Sequence, residues 1–181
     1  MDHSQPREHL PANGQLSGAL ADFDRAIEID DSDAWAIGRR GETYQLMGHY
    51  PAALADFDRA LDLEPDDDWW SYNRALTHLA MSSTEQAKTD LSRAIRRAEN
   101  VHSQNPEDSR NVFDLALYHL AAGQADQARR LYQTTVSDVG VSPWLVRGAL
   151  QDLDDILGVL PDLSEADAIR TLLQKKLKEL S

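Results

Sequence analysis

Leu16, Leu20, Phe23 and Ile27 fall at i, i+4, i+7 and i+11, the stripe of an amphipathic helix that ends near Ile29. Asp30, Asp31, Ser32 and Asp33 break it and supply an N-cap for a second helix, which carries Trp35, Ile37, Gly41 and Tyr44 and stops around Gly48. Pro51 suits the first turn of a third, whose inward residues Leu54, Phe57 and Leu61 lead to about Leu63. Pro65 with Asp66, Asp67 and Asp68 ends that helix and caps a fourth, which holds Trp69, Tyr72, Ala75, Leu76, His78 and Leu79. Helix follows helix, and no stretch alternates as a strand would. Near the end, Ser142-Pro143 starts a helix with Leu145, Leu150, Leu153, Ile156, Leu157 and Leu160. Ser164-Glu165-Ala166-Asp167 reads as a capping box opening a last helix with Ile169, Leu172, Leu173, Leu177 and Leu180. Residues 1–13, interrupted by Pro6 and Pro11, show no helical period and are expected to form a disordered leader.

The polar positions repeat as well as the apolar ones. Residues 19–26 and 53–60 both read Ala-Leu-Ala-Asp-Phe-Asp-Arg-Ala, an offset of 34. A third copy keeps Ala87, Asp90, Leu91, Arg93 and Ala94 in the same register. The next usable match sets Ala128 and Tyr132 against Ala87 and Leu91, a step of 41. The extra residues are expected partly in a longer helix through Arg96, Arg97, Ala98 and Glu99 and partly in a loop over 103–108.

The unit Ile37-x2-Arg40-Gly41-x2-Tyr44, then Ala53-x3-Phe57, Ala60 and Pro65, resembles the tetratricopeptide repeat, with Ile37 and Arg40 at positions usually Trp and Leu. The resemblance implies an all-α fold, a right-handed superhelical solenoid of antiparallel helix pairs. It divides the chain into a half-repeat over 14–33, repeats over 34–67, 68–108 and 109–137, and C-terminal capping helices over 142–181. The half-repeat lacks its first helix. An upstream segment, a second copy of the chain or a leader folded back are the three candidates to cover it.

In that family the first helix of each pair lines a concave groove that binds protein or peptide segments. Carried over residue by residue, the groove comprises Trp35, Gly38, Glu42 and Gln45, then Trp69, Tyr72, Leu76 and Leu79, then Arg110, Phe113, Leu117 and Leu120. Gly38 and Glu42 occupy positions where carboxylate-clamping members carry polar or basic side chains, which argues against that subtype. The apolar half suits an extended or helical ligand, or the chain's own last helix over 164–180, and both occupants stay open. The implied function is a non-catalytic scaffold or sensor module. Its alternative is a self-associating protein, a homodimer or larger assembly, built on the groove and the uncovered first helix.

Charge and chemistry narrow the field. A net charge of −13, from 31 acids and 18 Lys and Arg, argues against nucleic acid or an anionic membrane as partner, though it equally serves solubility. No cysteine is present and no apolar run approaches a membrane span, so a cytoplasmic protein is expected. His3, His9, His49, His78, His102 and His119 share no ligand spacing, and Asp66, Asp67 and Asp68 lack the glycine and distal Glu of a calcium loop. No phosphate loop, nucleophile elbow or paired catalytic carboxylate appears, so neither catalysis nor a cofactor nor a metal is expected. Arg40 and Arg74 are expected to pair with helix-borne acids such as Asp22, Asp24, Asp56 or Asp58.

Overall fold

A computed structural model describes residues 13–138 and 140–181, so the expected leader lies outside the described residues apart from Asn13, which opens the first helix. Among the described residues the chain is all α: α1 (Asn13–Ile29), α2 (Ala34–Leu46), α3 (Tyr50–Leu63), α4 (Asp68–Ala80), α5 (Thr84–Gln104), α6 (Ser109–Ala121), α7 (Ala125–Ser137), α8 (Pro143–Val159) and α9 (Ala166–Glu179). Aspartates open α2, α4 and α6. Asp33 accepts from the Ala36 amide at 3.0 Å, Asp67 from that of Trp70 at 2.8 Å, and Asp108 from those of Arg110 and Asn111 at 3.1 Å, each satisfying an amide that lacks an intrahelical partner. The turn inside each pair closes through a left-handed residue. Gly48 and Gly123 take φ 75° there without strain, whereas the middle pair places Ser82 at φ 60° in the same register.

The backbone divides into two compact units, Met1–Leu63 and Glu64–Ser181. In the first, α2 packs on both α1 and α3. Its core includes Ile37, Ala53, Phe57 and Ala60, none with measurable exposure. Arg40 binds Asp56 in a fork, Nε to Oδ2 at 2.8 Å and Nη2 to Oδ1 at 2.7 Å, and reaches Asp24 on α1 at 2.8 Å. Asp56 foremost, with Asp24, raises the Arg40 pKa above its ordinary value against the burial that opposes it.

The second unit repeats the device. Arg74 forks onto Asp90 at 2.9 and 2.6 Å, and the His78 ring stands 3.9 Å from the same carboxylate. The sequence-based pairing of Arg40 therefore holds for Asp56 and Asp24, while Arg74 takes Asp90. At the third pair the 41-residue step puts Leu115 and Leu131 in these places. Leu115 is buried, and Leu131 packs against the same core. A polar clamp gives way to an apolar contact at one position of the repeat.

Two local expectations are corrected. The insertion lies wholly in α5, which has 21 residues against 14 in α3, so the helix continues two turns through 103 and 104 instead of yielding to a longer loop. The Ser164 capping box does not form. Glu165 takes the N-cap of α9 in the left-handed region at φ 69°, with no side-chain cap, leaving Ser164 in the preceding turn.

Candidate functional site

The first-unit groove positions lie on α2, whose first turn is capped by Asp33. Trp35 sits there 52% exposed, its ring edge-on to Phe23 at 5.9 Å between centroids and the Arg39 guanidinium 6.0 Å from its centre. Arg39 is itself buried and ion-paired with Glu42 one turn on. Gly38 is buried and Gln45 half-buried. The result is an indole backed by a cation and a phenyl ring, with about half its surface open to an incoming apolar or aromatic side chain.

The second-unit positions behave differently. Tyr72, Leu76, Phe113, Leu117 and Leu120 are all buried, joined in one core with Val146, Ala149, Leu153 and Ile156 of α8. α8 packs on α6 and α4, whereas α9 packs on α7 and α8. The helix that closes this apolar face is thus α8, not the final helix over 164–180, which was one of the two occupants left open. Burial follows from composition: five large apolar side chains on two adjacent helices find cover in the chain's own next apolar helix. Trp69, Leu79 and Arg110 remain half-buried at the edge of this core.

An aromatic run crosses it. Trp69 contacts Tyr72 at 5.4 Å, Tyr72 contacts Tyr118 at 4.9 Å, and the Tyr118 hydroxyl donates to Asp68 at 2.8 Å. Burial first, then the carboxylate of Asp114, push the Asp68 carboxyl up to about 6, against the bond from Tyr118. Sequence reasoning assigned Asp68 to capping with its neighbours. The neighbour Asp67 is the cap, and the Asp68 carboxyl faces inward toward Tyr118. A folded pKa above the unfolded value of about 3.9 contributes stability that is complete below that value and is lost as pH rises through 6. Asp68→Asn is therefore expected to match the wild type near pH 4. By pH 8 it should exceed it by about 1–2 kcal/mol, the full shift being discounted because the residue keeps some contact with solvent. Urea unfolding at both pH values checks this, and a variant weaker than wild type at pH 8 would contradict it.

Among the described residues no group of three or more His, Asp or Glu is placed to hold a metal ion, and no helix is long and apolar enough to cross a membrane. His119 is a buried packing residue whose Nδ1 meets the Gln124 side chain.

Comparison with known proteins accords with the helix pairs. Residues 34–67, the α2 and α3 pair, and residues 87–140, from α5 past α7, each match a description reading tetratricopeptide repeat. Among solved structures the chain is similar to TTC0263, a thermophilic TPR protein in Thermus thermophilus, with 18% identity over 92% of this chain and 93% of that one and a TM-score of 0.53. It is also similar to YrrB, described as a TPR protein with an unusual peptide-binding site, at 21% identity over 91% and 84% of the two chains and a TM-score of 0.44. The crystal structure of MamA matches at 19% identity over 92% and 91%, with a TM-score of 0.47. At 18% identity the likeness to TTC0263 is one of fold. No curated protein sequence matches.

Proposed function

Because the chain belongs to the tetratricopeptide repeat family, a family of protein-interaction scaffolds, we propose that it binds a protein or peptide segment through the face of α2 centred on Trp35. One observation carries this: Trp35 is 52% exposed, whereas the large apolar groove positions of the second unit lie buried under α8. A half-exposed tryptophan held by Phe23 and Arg39 is the kind of rigid anchor that dominates binding energy. The segment it suits has an apolar or aromatic anchor residue, and the groove does no chemistry of its own.

Trp35→Ala is expected to weaken such a partner by about 30-fold or more while changing folding stability by about 1 kcal/mol. Affinity capture from the native cell with wild type and variant, quantified by mass spectrometry, tests it. An unchanged partner set would reject α2 as the site. Self-association is the second reading, favoured by the exposed Asp22 on α1.

A further inference from the structure

The identical octapeptides at 19–26 and 53–60 have the same local preferences, so their difference in burial reports what packs on them. In the second, Ala53, Phe57 and Ala60 have no measurable exposure, because α2 lies along that row with Arg40 on Asp56 and Gly41 against Phe57. The third copy is likewise seated, its Asp90 held by Arg74. In the first, Ala19, Phe23 and Ala26 are only half-buried, and the Asp22 side chain is 71% exposed and paired with Arg25 of its own helix. Ile29, which continues the row, is 88% exposed against 41% for Leu63 in the seated copy. α1 therefore presents the receiving half of a helix pair.

The donating half stands on α8. Its buried row is Val146, Ala149, Leu153 and Ile156. The opposite row reads Trp144-x2-Arg147-Gly148-x2-Gln151, the spacing of Ile37-x2-Arg40-Gly41-x2-Tyr44 on α2. Trp144 is 54% exposed and Arg147 is exposed. A Cβ on Gly41 would meet the Phe57 ring at 2.9 Å, whereas one on Gly148 would find nothing within 4 Å. Both arginine-glycine and arginine-alanine rows of α2 and α4 are already engaged by Asp56 and Asp90, so α8 is the helix with such a row to spare.

We propose that α8 of one copy docks on α1 of a second copy, Arg147 binding Asp22 and Gly148 lying over Phe23. The inference rests on the second reading above and not on the Trp35 face. Two different surfaces meet, so the contact is heterologous and copies join head to tail, into rings or into chains that lengthen with concentration.

Sedimentation velocity over a concentration series tests it. Wild type is expected to grow in mass, while Asp22→Arg and Arg147→Asp should each weaken association by about a hundredfold. Mixed in equal amounts, the two variants should associate again, since one junction is then wild type and the other has its charges exchanged. A wild type that stays monomeric, a single variant that still assembles, or a mixture that does not recover would overturn the proposal. Arg147→Asp, which lies on α8 away from the Trp35 face, should keep the α2 partner of wild type, so loss of the α2 partner and loss of self-assembly are separable results.

Discussion

Arg74→Met is expected to lower the stability of the second unit by about 3–5 kcal/mol, because it leaves the Asp90 carboxylate, 4% exposed, without its forked partner. His78, at 3.9 Å, is too far to replace the two short bonds. The companion result separates loss of a partner from loss of an ion pair. Arg74→Leu with Asp90→Leu is expected to recover most of the deficit, since the third pair already carries Leu115 and Leu131 at these positions. Urea titration followed by circular dichroism gives both numbers. If the double variant is as unstable as Arg74→Met, the clamp contributes more than its mutual cancellation and the internal precedent does not transfer.

Gly41→Val is expected to destabilise the first unit by about 3 kcal/mol or more. Its Cβ alone would stand 2.9 Å from Phe57 Cε1 and 3.2 Å from Asp56 Cβ, and the fully buried Phe57 ring has nowhere to turn. Pushing Asp56 aside also disturbs its bonds to Arg40. The better helix propensity of valine over glycine offsets only about half a kcal/mol. Relief should come from the combination the next pair uses, Ala75 with Leu91: Gly41→Ala with Phe57→Leu is expected to melt close to wild type. An unchanged melting temperature for Gly41→Val would mean that α2 and α3 do not meet along this row.

The helices were legible because apolar period, aspartate caps and proline positions all coincide between Leu16 and Leu79. The expectation that Arg40 pairs with helix-borne acids also held, for Asp56 and Asp24 among the four named. What sequence could not decide was which apolar face is core. Tyr72, Leu76, Phe113, Leu117 and Leu120 have the same spacing whether they line an open groove or support another helix, and only the path of α8 settles their burial. Its apolar row was visible, but α9 carries a similar row, and the choice between them as cover lies in tertiary packing that periodicity does not encode. Asp68 was hidden for a related reason. In a run of three aspartates, the one that caps and the one that turns toward Tyr118 differ by a single position. Trp35 stays half-exposed, and the groups that hold it, Phe23 and Arg39, are local to α1 and α2.

The duplicated eight residues also give the molecule an internal calibration. Phe23 and Phe57 each stand between two aspartates, so the intrinsic hydrogen-exchange rates of their amides are equal. Any ratio between their measured rates then reports how readily α1 opens relative to α3, with the local sequence held constant. That ratio gives the difference in opening free energy between the two helices at this residue, read in a single sample without any substitution.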